Sequence, residues 1–255
     1  IFTSDHGEQG GAHHLRQKGS VAFKESVNVP LVIADPRHPG ANTSDAVGSH
    51  LDLVPTILAF AGLSEDERRE RYPLLKGQDL SGVVRDPASD GPRGSSATPG
   101  PGSLLTYDMI ATIDAEWFVR NVTKVFDAAA AAAGEEFHRG MEEFKGLVDE
   151  IGVPDLEARE LFRGVFDGRS KLVRYFGMGN YHLPPSVQQL LADNDVALYD
   201  LQSDPEEMDN LANPAHPEYD EALLSAMNQK LNALIAEEIG QDTAMFTPPE
   251  MVSPQ

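Results

Sequence analysis

No cysteine occurs among the 255 residues, which excludes disulfides, thiolate metal sites and a cysteine nucleophile within them. Basic residues are scarce as well: 20 Lys plus Arg stand against 41 Asp plus Glu, a formal net charge of -21. Such a field repels phosphate backbones, and no Lys/Arg cluster offsets it, so nucleic-acid binding is excluded. An anionic substrate would need a few dedicated groups to hold it. Apolar runs approaching the roughly 20 residues of a membrane helix are missing, and Ile1 to Asp5 lacks the basic start of a signal peptide. The expectation is a soluble chain without membrane insertion. The first residue is not Met and opens directly into an apolar stretch, so a fragment of a longer protein is expected.

What is present is organised. Ile1 to Thr3 reads as a buried strand ending in Ser4-Asp5-His6-Gly7, and Val29 to Ala34 as a second strand closed by Asp35-Pro36. Their unbroken hydrophobicity favours a parallel sheet covered on both faces, with room for a short crossover helix between Lys18 and Ser26. From Asp52, a plausible cap, Leu53, Val54, Ile57, Leu58 and Phe60 have helical spacing, and Gly62 ends the helix. This βαβα series implies an α/β layer. Residues 86–103 are dense in Pro, Gly and Ser and read as a flexible loop. Trp117 to Asp149 reads as helix. Phe162 to Phe166, Leu172 to Phe176 and Ala197 to Leu201 form a small antiparallel sheet, the first two joined by a turn at Asp167-Gly168-Arg169-Ser170. Tyr219 to Ile239 is an amphipathic helix that packs against it, and the tail after Gly240 is loose.

Chemistry-bearing residues concentrate in the first 18 positions: Asp5, His6, Glu8, His13, His14, Arg16 and Lys18, among several glycines. A carboxylate beside an imidazole at a strand end, followed by Gly, supplies half of a divalent metal site. His13 and Lys18 lie on a glycine-loosened loop that can curl back, offering a proton donor and a fixed positive charge. These parts fit metal-assisted attack on a phosphate or sulfate ester. The bland alternative is a histidine-rich surface loop, and it applies to His14, Glu8 and Arg16 in any case. His50, His138, His182 and His216 stand alone and read as surface or packing residues; Asp52 reads as a helix cap.

Four segments recur in a known order: Thr3-Ser4-Asp5-His6-Gly7-Glu8 with Gly11-Ala12-His13 and Lys18-Gly19; Phe23-Lys24-Glu25-Ser26 leading to Val29-Pro30-Leu31-Val32-Ile33; Ser49 to Leu58 with Ala61-Gly62-Leu63 and Gly77-Gln78-Asp79-Leu80; and Leu198-Tyr199-Asp200-Leu201 through Asn210-Leu211. In these segments the sequence resembles the sulfatases of the alkaline phosphatase superfamily. The likeness covers about 80 residues closely and about 200 loosely. It implies an α/β fold, part of an alkaline-phosphatase-like sandwich with a mostly parallel sheet, plus a small carboxyl-terminal antiparallel sheet packed by a helix. On that basis residues 1–85 belong to the catalytic domain, 86–103 form a flexible loop, 104–160 a strand and helical insertion, 161–240 the small sheet with its helix, and 241–255 a tail.

The resemblance further implies that Asp5 and His6 bind a divalent cation while His13 and Lys18 contact the sulfate or phosphate group, with His13 able to protonate the leaving oxygen. Imidazole in place of the more usual amide shifts the cation from Ca toward Mn or Zn. The family's nucleophile, a formylglycine arising in Cys or Ser-x-Pro-x-Arg, has no counterpart, since there is no Cys and no Pro is followed two residues later by Arg. The expectation is therefore the carboxyl-terminal part of an arylsulfatase-like enzyme, inactive alone, acting on a small-molecule or carbohydrate sulfate ester when complete. Phosphonate monoester and phosphodiester hydrolases share the Asp-His-Gly form, and a noncatalytic remnant is the third reading. Compartment stays open between periplasmic or secreted and cytoplasmic, and the reading leaves room for a homo-oligomer.

Overall fold

The computed structural model describes residues 1–109, 114, 116, 117, 120, 121, 124, 152, 154–181 and 183–242. Strand β1 (Phe2–Thr3) pairs with β2 (Leu31–Val32), and between them lies a single-turn helix, α1 (Lys24–Val27). The pairing is antiparallel, which corrects the parallel sheet expected for this segment. The intervening chain forms a long loop and one helical turn, and the register pairs Phe2 with Val32 and Thr3 with Leu31. Nor are both faces covered by described residues: Phe2 is 66% and Val32 57% exposed.

Helix α2 (Leu53–Phe60) follows a 3₁₀ turn at His50–Asp52, and α3 (Glu65–Arg71) and α4 (Ser81–Arg85) complete this part. Asp52 is not the side-chain cap of α2. It is the third residue of a capping box begun by Ser49, whose amide donates to Asp52 Oδ2 at 2.9 Å. The same carboxylate accepts from the Gln78 amide at 2.7 Å and from Arg93 at 2.8 Å through both Nε and Nη2. Arg93 is 2% exposed and also donates to Glu238 at 2.7 Å and to the Gly102 carbonyl at 3.0 Å. Burial works against the Arg93 charge, but Asp52 and Glu238 outweigh it and hold its pKa above the ordinary value. Hence the connection at 86–103, although irregular, is not a solvated linker: Arg93 and Ser95 are buried, and Gly94 and Gly100 pass so close that side chains there would collide.

The second sheet is an antiparallel meander of β3 (Ser103–Tyr107), β4 (Leu161–Phe166), β5 (Ser170–Phe176) and β6 (Asp195–Asp200). The turn between β4 and β5 is where the sequence places it, and Gly168 is required there: its φ is 108°, and a Cβ would lie 2.2 Å from the Ser95 carbonyl. Register puts Leu104, Val165, Leu172 and Leu198 in one row, which packs with α5 (Val187–Asp193) and α6 (Glu221–Glu238) through Leu190, Leu224, Met227, Leu231, Leu234 and Ile235. The carboxyl-terminal antiparallel sheet and its packing helix are as expected. The opposite face carries Phe162, Val173, Leu105, Tyr107 and Tyr175 against Ala22 and Val27 of the amino-terminal part. The helix expected over Trp117 to Asp149 lies largely outside the described residues, as do His138, His182 and the tail from 243.

Two stability predictions follow from buried and exposed charge. Replacing Arg93 with Ala strands two buried carboxylates, and urea unfolding should show a loss of about 3–5 kcal/mol. Arg169 donates to Asp200 at 2.6 Å and, with the Gln202 amide, holds that carboxyl below its ordinary value. Its stabilisation is complete above the unfolded pKa of about 3.9 and lost as pH falls through the lower folded value. Asp200→Asn should therefore flatten part of the acid limb of a melting-temperature profile and leave its neutral slope unchanged.

Candidate active site

Asp5, His6 and Lys18 converge at the carboxyl end of β1. The Asp5 side chain is 84% exposed and accepts from the His6 amide at 3.0 Å; that hydrogen bond, with the nearby His6 and Lys18, holds its carboxyl below the usual range. His6 Nδ1 lies 2.7 Å from the Gly7 carbonyl, which can only accept. The proton is thereby assigned to Nδ1, and the Nε2 lone pair is directed outward. Lys18 Nζ donates to that lone pair, and Asp5 Oδ2 lies 3.5 Å from it. A carboxylate oxygen and an imidazole nitrogen at this spacing, with the second ring nitrogen anchored on a carbonyl, suit two neighbouring ligands of one divalent ion. The Lys18 ammonium is the cation that stands there. These residues fit the metal that the resemblance implies.

The three side chains open on a groove of ≈ 1440 Å³ between the amino-terminal segment and the second sheet. Its other walls include Glu8, His50, Tyr107, Asp108, Phe162, Arg163, Tyr181 and Asp242. His50, read from the sequence as isolated, donates from Nε2 to the Ser4 carbonyl at 2.7 Å and so braces the residue before Asp5. Arg163 is buried, bonded to Asp242 at 2.8 Å and Asp108 at 2.9 Å, and lies over the Phe176 and Tyr181 rings. Tyr181 donates to Asp108 at 2.8 Å, and burial together with that carboxylate raises its pKa. A lone arginine at mid-strand was the sequence signal for this cluster.

His13 lies elsewhere. Its ring stacks on Phe23 at 3.7 Å and 9°, its Nε2 is 3.8 Å from Glu25 Oε2, and it is not a wall of the groove. His13, Glu25 and Glu207 bring ligand-type atoms within 4.8 Å of one another, a group able to hold a metal ion among the described residues. Glu207 already pairs with Lys171, a buried ammonium whose pKa burial pushes down while Glu207 pulls it up. His14 and Arg16 are both exposed.

Residues 1–63 match the model of the Sulfatase family. The uncharacterized sulfatase YidJ of Escherichia coli (strain K12) is 36% identical over 84 residues, covering 33% of this chain and 17% of that protein. The multifunctional alkaline phosphatase superfamily protein PehA of Trinickia caryophylli is 46% identical over 66 residues, 24% of this chain and 12% of that protein. This chain thus spans under a fifth of either relative. In fold, the phosphonate monoester hydrolase of Agrobacterium radiobacter aligns with a TM-score of 0.54 and 24% identity, over 93% of this chain and 35% of that one. The sulfatase resemblance and the α/β fold class read from the sequence are borne out by these matches. No helix among the described residues is long and apolar enough to cross a membrane.

A divalent ion held by Asp5 and His6 would compete with the Lys18 ammonium for the same acceptors. Lys18→Ala is therefore expected to tighten Mn²⁺ binding about five- to tenfold in titration calorimetry, since a unit charge at hydrogen-bonding distance in a solvated site is worth about 1 kcal/mol or slightly more. Asp5→Asn should weaken it by at least as much.

Proposed function

We propose that this chain supplies the cation- and sulfate-binding part of a sulfatase, an enzyme that hydrolyses sulfate esters, and that its nucleophile lies in residues beyond those given. The observation that carries the reading is the convergence of Asp5, His6 and Lys18 inside the segment that matches the family model. Asp5 and His6 would hold a divalent cation, Mn or Zn being favoured over Ca by the imidazole. When bound, that cation lowers the pKa of the nucleophile and polarises the ester. Lys18 donates hydrogen bonds to nonbridging oxygens of the sulfate group, where negative charge grows in the transition state. The Gly7 carbonyl keeps the proton of His6 on Nδ1 and its other nitrogen available. The groove beside them has room for the alcohol part of the ester, and its aromatic wall of Tyr107, Phe162 and Tyr181 suits an aryl group. The expected nucleophile is a formylglycine.

A second reading, a phosphonate monoester or phosphodiester hydrolase on the same scaffold, is favoured by the fold-level match to a phosphonate monoester hydrolase over 93% of this chain. The two are separated by assaying the longer gene product with an aryl sulfate beside an aryl phosphonate. The sulfatase reading expects turnover of the sulfate with the larger kcat/KM, and Lys18→Ala should lower that value by about 10²–10³, the usual effect of losing one transition-state donor. Preference for the phosphonate would favour the second reading. Turnover of neither ester, in a product without Cys or Ser-x-Pro-x-Arg, would overturn both and leave a noncatalytic domain.

A further inference from the structure

We infer that His13 is a positioning residue: it pins the loop from Gly7 to Lys18 onto the segment Phe23–Ser26 and thereby fixes where Lys18 meets His6. The inference rests on the reading of Asp5, His6 and Lys18 as the site, and it gives His13 a role other than contact with the ester.

The loop has an unusual backbone. His13, His14 and Gln17 have φ of 51°, 61° and 64°, left-handed values that residues with a Cβ hold only when surrounding contacts enforce them. Backbone hydrogen bonds from Gln9 to Gln17 at 3.0 Å and from Gly11 to Leu15 at 2.9 Å close the loop on itself. The first of these delivers the chain directly to Lys18, so the orientation of the closed loop sets the start of the Lys18 side chain. Gly7, Gln9 and His13 hold the closed loop to its base. The Gly7 amide donates to the Ser26 carbonyl at 2.9 Å, Gln9 Nε2 donates to Ser26 Oγ at 2.7 Å, and the His13 ring lies flat on Phe23. The first two grip the entry of the loop. The His13 side chain, 12% exposed, grips its far turn, by the stack on Phe23 and by Nε2 lying 3.8 Å from Glu25 Oε2.

The base is itself immobilised by the second sheet. The Lys24 amide donates to Glu207 Oε2 at 2.8 Å, Lys171 Nζ donates to the Ala22 carbonyl, and the Ala22 amide donates to the Tyr175 hydroxyl at 3.3 Å. Gly7 sits so near this base that a Cβ would fall 1.8 Å from the Glu25 carbonyl. A continuous line of contacts therefore runs from β5 through Ala22–Ser26 to His13, and from the loop to Lys18. The alternative, a cation held by His13, Glu25 and Glu207, is disfavoured because the Lys171 ammonium already balances Glu207 at that place.

The test uses His13→Ala and His13→Phe, the latter keeping a flat ring on Phe23. In the 255-residue chain, hydrogen exchange at the Gln9 and Gly11 amides should speed up about tenfold or more in His13→Ala, stay near wild type in His13→Phe, and remain unchanged at β4 amides in both, as expected for local opening. In the longer enzyme, His13→Ala should lower kcat about tenfold with little change in KM, as for a misplaced transition-state group, and His13→Phe should recover most of it. The loss should be equal for esters with good and poor leaving groups, with an unchanged pH profile. A loss that grows with leaving-group pKa, or no recovery in His13→Phe, would overturn the inference in favour of proton donation. Unchanged loop exchange in His13→Ala would overturn it as well. If the longer enzyme hydrolyses no sulfate ester, the exchange result still decides the anchoring while the sulfatase reading fails separately.

Discussion

Asp52, Arg93 and Glu238 form the buried contact on which the arrangement of the two sheets depends, because it joins three segments far apart in sequence. Asp52 comes from the turn before α2, Arg93 from the irregular connection, and Glu238 from the last turn of α6. Taking charges out of water is costly, and an ion pair repays that cost only if its remaining donors and acceptors are also satisfied. Asp52 meets the condition with two amides and a two-point contact from Arg93, whose Nη1 is shared between Glu238 and the Gly102 carbonyl. Glu238 Oε2 is the weak point, buried without a hydrogen-bond partner among the described residues. A network so nearly saturated tolerates little displacement of any member. It specifies position more than it adds stability, and what it positions is one flank of the groove, where Glu238 is itself a wall.

The second sheet repeats this logic on both faces. Cross-strand register places Arg163 and Arg174 in one row and Lys171 in another, so side-chain alternation sends the arginines to the face that meets α6 and the lysine to the face that meets Ala22. Arg163 finds Asp242, Arg174 finds Asn232 at 2.8 Å, and Lys171 finds Glu207. Each partner belongs to a different segment. Apolar contact alone would let the amino-terminal part slide over the sheet; charged contacts of fixed geometry do not. The chain that leaves this seam, Lys18 to Ala22, is thus delivered in one orientation to the site.

Legibility in the sequence followed the physics of each element. The meander and α6 were readable because alternation of period 2 and the Leu223 to Ile235 stripe report local burial directly, and the turn at Gly168 has its own residue code. Asp5, His6 and Lys18 were legible as a cluster because the unit that brings them together is one short loop. The pairing sense of β1 and β2 was not, since an unbroken apolar run reports cover on both faces and says nothing of strand direction. Helix α3 escaped notice because Glu65 to Arg71 has no apolar stripe; it is held by the Ser64–Glu67 capping box and exposed charge pairs such as Arg69 with Glu65 at 2.5 Å. The Pro/Gly/Ser composition of 86–103 hid a packed segment, because its single buried arginine depends on carboxylates 41 and 145 positions away. His13 illustrates the same limit: proximity in sequence to Lys18 suggested a shared target, while its left-handed backbone turned the ring toward Phe23.

Electrostatics bear on the proposed metal ligands Asp5 and His6. Among the described walls of the groove, Asp5, Glu8, Asp108, Glu160, Glu238 and Asp242 face Lys18 and Arg163. Arg163 is committed to Asp108 and Asp242, and Glu238 to Arg93, which leaves Lys18 against Asp5, Glu8 and Glu160 in a chain of net charge -21. With the Asp5 carboxyl held below the usual range by the His6 amide, one ammonium beside it cannot make the groove attractive to an anion. A divalent ion on Asp5 and His6 would reverse that balance at the one place where Lys18 stands. It would also release Lys18 from His6, freeing its hydrogens for a sulfate group. If the proposed site holds a cation, cation binding and anion binding would be one coupled event, with Lys18 passing from the His6 nitrogen to the sulfate oxygens.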